Sequence, residues 1–455
     1  MKFIKFLKNI FFGSMIRGFV FSYLFAMIIG AIFLSLPPSI QAGQSVSFLD
    51  ALFVSASALS TTGLTPIVVK DVFTSFGQVV LLIIIQFGGI GLIMGLALFW
   101  LIIGRKITFK ERNMIMIDQN QITRSGVVRF IRNVLIMIVT IQSIGFILMS
   151  GYFVLSDTFP LSEALFQSFF NTISLFTNAG FDISPMGSSF SMFRSDYPLL
   201  IIGMALMFLG GVGFWPLAEL KLWFDAKRKK ESFRFSQFTK LLVSLHLVIW
   251  ILSAVVFFLL ERESYLAQTG GADSVFVVLF MSLTTRNAGF STMNVADLNE
   301  ATTLFFMFLM FLGSSPNSAG GGIRTVTLFV TILGIISFAR GKNAVVWRER
   351  TIKQETVMKA LVMVIMAFLF VGLIIQGMLI VESHSFKEVS FEVLSAFGTT
   401  GLSLGITSDL TNISRALLVA TMFVGRVSLI SLLLMFKTKG STSNIRYPEM
   451  DIIVG

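Results

Sequence analysis

The stretch Ala58-Leu59-Ser60-Thr61-Thr62-Gly63-Leu64-Thr65, ALSTTGLT, lies between two long apolar runs. It is too polar to belong to a lipid-facing span. A close copy, AFGTTGLS, occupies Ala396 to Ser403 near the other end of the chain. Two further turns share the same centre: NAGF at Asn178 to Phe181 and NAGF at Asn287 to Phe290. Their glycines, Gly63, Gly180, Gly289 and Gly401, are spaced by 117, 109 and 112 residues. Recurrence at a near-fixed period points to one structural unit used repeatedly.

The flanks repeat as well. Each glycine follows a short, moderately apolar stretch: Asp50-Leu59, Ser162-Leu175, Ala272-Leu283 and Glu388-Phe397. Such stretches are too short to cross a bilayer as a helix and suit a re-entrant one. A polar return follows each glycine. A long apolar run comes next, with a second glycine site at Gly88-Gly91, Gly210-Gly213, Gly313 and Gly425. Each unit therefore reads as span, half-helix, polar turn, span. The predicted spans are 18–36 and 77–104, 130–155 and 198–222, 238–260 and 302–339, and 358–381 and 413–436. The fold class predicted is an all-α polytopic membrane protein with eight transmembrane helices and four re-entrant half-helices around a pseudo-fourfold axis. The unit boundaries fall at 1–108, 109–226, 227–345 and 346–440, with a tail at 441–455.

Composition supports a membrane protein. Hydrophobic residues make up 55% of the 455 and charged residues only 13%, against about 25% charged in soluble domains. Continuous runs of Phe, Ile, Leu and Met do not suit an outer-membrane barrel, whose strands alternate. The basic run before Phe19–Leu36 resembles a signal peptide, but the apolar run is too long for one, so it reads as the first span. The net charge is +11. Basic residues cluster between units: Lys2, Lys5 and Lys8; Arg105 to Arg112; Lys227 to Lys230; Arg340 to Lys353; Lys437 to Arg446. Stretches within units are acidic. The positive-inside rule then places both termini in the cytoplasm of a cell-membrane protein, so every glycine turn enters from outside. The clusters serve for orientation and attraction to anionic lipid, and no motif for nucleic acid accompanies them. Absent cysteine excludes thiol catalysis and disulfides. His246 and His384 alone cannot build a His-rich metal site.

A single TTG turn would also serve close helix packing, where small residues are common. Four of them, each after a half-helix, imply more. Irregular backbone is tolerated at membrane depth only when it is buried in protein or lines water. Glycine permits backbone angles closed to other residues, so successive carbonyls can line one axis. Carbonyl oxygens there replace a cation's hydration shell. Each half-helix also points its C-terminal partial negative charge at that axis. The turn residues Thr61, Thr62 and Gly63, Asn178, Ala179 and Gly180, Asn287, Ala288 and Gly289, and Thr399, Thr400 and Gly401 are the candidate filter. A cation is the candidate ligand, held by backbone carbonyls.

With T-T-G-L, N-A-G-F, R-N-A-G-F and T-T-G-L at its turns, the chain resembles the Ktr/Trk/HKT superfamily of potassium and sodium transport proteins. The resemblance covers nearly the whole chain. It includes I-Q-F-G-G-I-G at Ile85 to Gly91 and S-N-I-R-Y-P-E at Ser443 to Glu449. The tail is most like the membrane subunit of bacterial Ktr systems. The resemblance implies potassium uptake, a homodimer and a cytosolic ring of nucleotide-binding regulatory subunits. This chain itself has no nucleotide motif and no cofactor. In the superfamily, glycine at all four turns goes with potassium, and serine at the first with sodium. Gly63 accordingly favours potassium.

The second span of the third unit is interrupted by Gly313, Ser314, Ser315, Pro316, Asn317, Ser318, Ala319, Gly320, Gly321 and Gly322. Glycine costs about 1 kcal/mol and proline about 3 in a helix interior, so this run breaks the helix and lines the water path inside the filter. The resemblance implies an intramembrane gating loop here. The family shows Gly, Ala, Ser and Thr in it, and Pro316 departs from that pattern. Arg426, after Gly425, is equivalent by repeat spacing to the loop. It is predicted to bond loop carbonyls and hold the gate, or to repel cations when the gate is shut. The family pattern G-R-[IV]-G-P is replaced here by G-R-V-S-L. Arg324 either joins the inner mouth or snorkels to headgroups. Arg286 reads as a brace behind the filter paired with a carboxylate.

Two other classes compete. A sodium-permeable protein, or a cation-coupled symporter of a small solute, also uses broken helices, but such symporters usually show two repeats, often inverted. An intramembrane enzyme lacks its parts here: no cysteine, two histidines and no paired intramembrane carboxylates.

Overall fold

The computed structural model describes residues 15–103, 126–184, 189–342 and 344–435, with Met450. The basic residues before Met15, those at 105–112 and 437–446, and the tail at 441–449 lie outside the described residues.

The chain opens with α1 (Met15–Leu34), a short α2 (Phe48–Ser60) and a pair, α3 (Ser75–Ile90) and α4 (Leu92–Ile102). The same order returns as α5 (Val127–Leu155), α6 (Leu161–Phe176), α7 (Tyr197–Gly211) and α8 (Phe214–Lys229). It returns again as α9 (Gln237–Glu261), α10 (Gly271–Thr284), α11 (Glu300–Leu312) and α12 (Thr325–Ala339). A hairpin of β1 (Val345–Trp347) and β2 (Arg350–Ile352) precedes α13 (Gln354–Val381), α14 (Phe386–Gly398), α15 (Asn412–Val427) and α16 (Leu429–Met435).

Two features correct the sequence reading. The chain is not wholly α: the hairpin pairs Val345 with Ile352 and Trp347 with Arg350. Arg348 and Glu349 turn it with φ of 44° and 63°. The second correction is larger. Runs 77–104, 198–222 and 413–436, expected as continuous spans, are each broken, as is 302–339. Among the described residues, four uninterrupted helices are long and apolar enough to cross a membrane: Ile16–Leu34, Val127–Leu155, Gln237–Glu261 and Gln354–Val381. The pairs α7–α8 and α15–α16 bend by 102° and 89°.

The breaks fall at Gly91, Gly213, Gly313 and Ser428. Each has positive φ, including the non-glycine Ser428 at 75°. A break frees backbone groups that must find partners. At the first, the Leu92 N–H donates to the Tyr23 hydroxyl (3.0 Å). At the second, the Phe214 N–H donates to the Asn317 carbonyl (2.7 Å). Counted back from the breaks, Gly425 lines up with Gly88 and Gly210 and not with Gly313. These three glycines let α3, α7 and α15 press onto the ends of the short helices. A β-carbon would meet the carbonyl of Leu59 at 2.4 Å, of Phe176 at 1.8 Å and of Phe397 at 2.2 Å. Gly210→Ala is expected to cost about 1–3 kcal/mol or more by overpacking. Reduced yield of monodisperse protein in detergent would register it, and wild-type yield and thermal stability would refute it.

The C-terminal halves of the short helices are buried on nearly every face. In α14, each residue from Val389 to Gly398 is buried except Leu394. Protein therefore surrounds their serines and threonines, as membrane depth requires. Ser47 caps α2 by accepting the Asp50 N–H (3.1 Å), and Ser385 and Glu388 form a capping box on α14. Polar contacts at the same end of the molecule join successive repeats. Lys70 pairs with Glu163 (2.9 Å), Tyr197 donates to Asp273 (2.6 Å), and Arg415 pairs with Asp50 (2.6 Å).

Candidate ion-permeation site

The short helices α2, α6, α10 and α14 converge, and their C-terminal turns meet. On Gly63, a β-carbon would lie 2.8 Å from Gly180 Cα; on Gly180, 3.2 Å from Gly289 Cα. On Gly289, it would lie 3.1 Å from Gly401 Cα; on Gly401, 3.1 Å from Gly63 Cα. The four contacts close a ring. All four glycines have φ between 71° and 94°, where a β-carbon is strained.

Three turns share a backbone form and the third in chain order differs. Thr61, Asn178 and Thr399 all take the left-handed conformation, with φ of 57°, 51° and 50°. The N–H groups of Gly63 and Gly401 donate to Ser57 Oγ and Ser395 Oγ, each at 3.0 Å. Those serines stand six residues before their glycines, a signal present in the sequence and not read there. The second turn uses Ser174 differently: its hydroxyl donates to the Phe181 carbonyl (2.6 Å). The third has Leu283 at that place. There the Ala288 N–H donates to the Thr284 carbonyl four residues back (2.9 Å), whereas Thr62, Ala179 and Thr400 donate five residues back, to Ser57, Ser174 and Ser395 (2.8 Å each). Asn178, with its amide turned to fit its neighbours, donates to Leu175 O (3.0 Å) and accepts from Gly211 N–H (3.3 Å).

Two cavities flank the ring. One of about 320 Å³ is lined by all four glycines together with Asp182, Lys70, Ser403 and Thr407. The other, of about 240 Å³, is lined by Tyr23, Gly91, Pro316, Asn317, Arg324, Arg426 and Ser428. Between them lies the segment from Gly313 to Arg324. Ser314, Ser315, Ser318 and Ala319 are buried, and Pro316 and Asn317 are half-buried.

This segment is hung from the turns. Thr61 Oγ1 donates to the Ala319 carbonyl (2.7 Å). The Gly321 N–H donates to Thr399 Oγ1 (2.6 Å). Asn287 Nδ2 donates to Thr399 Oγ1 (3.0 Å) and to its carbonyl (3.1 Å), tying the third turn to the fourth. Gly320 packs so closely on Asn287 that a β-carbon would lie 1.8 Å from Nδ2. Gly313 and Gly322 take positive φ at the two ends of the segment. Ser314 and Ser318 share a hydrogen bond between their hydroxyls. Pro316 places its carbonyl against the second break, 2.8 Å from where Gly213 would carry a β-carbon.

The arginines sharpen this picture. Arg426 donates to the Ala319 carbonyl and to the Gly88 carbonyl, joining the segment to α3 from α15. Arg324 donates to the carbonyls of Gly320 and Ser315 (3.4 Å to the latter), so it staples the segment and is not a headgroup anchor. Arg286, buried, pairs with no carboxylate among the described residues. It donates to the His246 carbonyl (3.1 Å). Buried ionised groups need such bonds, and an acceptor on the backbone meets part of the need.

The sequence matches the family described as TrkH, cation transport protein, over residues 20–447. The chain belongs to the TrkH cation transport protein family. It is 39% identical over 433 residues to Ktr system potassium uptake protein D of Bacillus subtilis, covering 95% of each chain. It is 30% identical over 436 residues to the potassium/sodium uptake protein NtpJ of Enterococcus hirae, covering 94% of each. Its fold is similar to the crystal structure of the potassium transporter TrkH from Vibrio parahaemolyticus. The TM-score is 0.70 at 20% identity, over 92% of this chain and 84% of that one. Together with its apolar helices, membership in the TrkH family makes this a multi-pass membrane protein of cation transport and not an enzyme.

Proposed function

We propose that the chain is a potassium uptake protein whose four turns, Thr61–Gly63, Asn178–Gly180, Asn287–Gly289 and Thr399–Gly401, form a selectivity filter. The closed ring of glycine backbones carries this reading. The relatives named as Ktr system potassium uptake proteins support it. Four units at 1–108, 109–226, 227–345 and 346–440 then surround a pseudo-fourfold axis, each second helix being a broken span. Both termini are cytoplasmic, the 320 Å³ cavity is the outer vestibule and the 240 Å³ cavity the inner mouth. Residues 313–322 with Arg426 form the gate. As in a Ktr system, a separate regulatory subunit that binds nucleotide acts from the cytosol on a homodimer of this chain.

Purified chain in liposomes tests the reading. Flux of potassium well above sodium, proportional to the gradient, is the expected result; equal flux of both ions would overturn the filter. Deleting part of Ser314–Gly321 should raise potassium flux, and lowered flux at intact protein levels would sink the gate. A second reading, with sodium also carried, is favoured by the Enterococcus hirae relative named for both ions. Sodium flux that saturates without potassium, in the same liposomes, would establish it.

A further inference from the structure

We propose that Glu392 is a specificity-determining residue of the outer vestibule, whose carboxylate turns two hydroxyls so that their lone pairs face an entering monovalent cation. This rests on the reading of the turns as the permeation path. Glu392 lies on α14, nine residues before Gly401, and is fully buried. The residues nine before the other three glycines are Val54, Asn171 and Phe280, all buried too. Three short helices thus pack without a carboxyl group at this register. Packing does not account for the one in the fourth.

Its oxygens are both used. One accepts from the Ser403 hydroxyl and the other from the Thr407 hydroxyl (3.2 Å). The two hydroxyl oxygens lie 3.1 Å apart. In its ionised form the carboxylate is acceptor-only, and both hydroxyls then donate inward. Ser403 Oγ gives one lone pair to the Gly405 N–H (2.8 Å). The remaining lone pairs belong to residues that line the same cavity as the four glycines. Cations nearby are held elsewhere: Lys70 by Glu163 (2.9 Å) and Arg415 by Asp50 (2.6 Å). The wall beside the fourth turn therefore offers hydroxyl oxygens backed by a buried carboxylate. That arrangement takes a partly dehydrated potassium-sized ion just before the ring. A glutamine would fill the same space, but its amide donates to one hydroxyl and turns that proton toward the cavity.

Potassium uptake in a transport-deficient bacterium tests the proposal. Glu392→Gln should raise the apparent KM for potassium about tenfold, as loss of local charge focusing implies, with maximal rate within about twofold. Thr407→Val, which removes one lone-pair donor and leaves the carboxylate, should raise KM about threefold. For protein that does not reach the membrane, the concentration of KCl that half-stabilises the purified variants against heat gives a second measure, and it should rise in the same order. An unchanged KM and unchanged half-stabilising KCl in Glu392→Gln would overturn the proposal. Gly63→Ser, measured alongside, separates the two readings. If it too leaves ion preference unmoved, the filter reading fails; if it alone acts, only the role of Glu392 fails.

Discussion

Gly63→Ser is expected to lower the preference for potassium over sodium by about tenfold or more, the effect of roughly 1.4 kcal/mol. The reason is steric and local. Gly63 holds φ at +94°, and a β-carbon there would lie 2.7 Å from the Ala179 carbonyl oxygen and 2.8 Å from Gly180 Cα. Both obstacles are backbone of the adjacent turn. The first turn must move outward, or the second must give way. Either change enlarges the ring and weakens the match between its carbonyls and a potassium ion, while sodium keeps its water and passes. Gly401→Ser meets the Thr62 carbonyl at 2.1 Å and should be harsher, with uptake itself failing. Uptake of both ions by a transport-deficient bacterium measures each variant. Retention of the wild-type ratio in Gly63→Ser would remove that glycine from the filter.

The second large effect is expected from Arg426→Met. The guanidinium holds two carbonyls at once, one on the crossing segment and one on α3. Hydrogen bonds from charged donors contribute about 1.5–3 kcal/mol each. Losing both should shift the balance between shut and open segment by about a hundredfold, since 1.4 kcal/mol is tenfold. Purified Arg426→Met should therefore leak potassium in liposomes without any partner. Arg426→Lys should leak less than Met but more than the wild type, because an ammonium lacks the planar fork that reaches two acceptors. Wild-type flux in the Met variant would show that the arginine does not hold the segment.

Much of this arrangement was legible in residues. The half-helices read as Asp50–Leu59 and Glu388–Phe397 fold as Phe48–Ser60 and Phe386–Gly398, because serine caps and a following glycine mark their ends. Three of the four breaks were not legible as breaks. Gly88-Gly89-Ile90-Gly91 and Gly210-Gly211-Val212-Gly213 sit in long apolar runs, where glycine equally serves close packing. Two of each set do pack, and the last is the bend. At Ser428 there is no glycine to read. At the first two breaks the partners come from distant chain, Tyr23 for Leu92 and Asn317 for Phe214, and no local pattern encodes them. The hairpin escaped because strands of three residues inside a basic cluster carry no periodicity. Arg286 misled in another way. A buried charge suggests an opposite charge, yet here a helix carbonyl accepts one of its hydrogen bonds.

The crossing segment has one further consequence, concerning copy number. Residues 313–324 bond to the first turn, to α8 beside the second, and to the fourth. An element that spans an axis in this way can exist only once. In an assembly of four identical chains, every chain would bring its own, and four such segments would contend for one place. A single polypeptide built of four quarters, as proposed, would be free of that conflict. In the proposed arrangement one quarter carries the bar, another the arginine bonded to it, and the other two the surfaces it rests on. The unequal turns are then what allow a ring with near-equal quarters to be closed by a single asymmetric part.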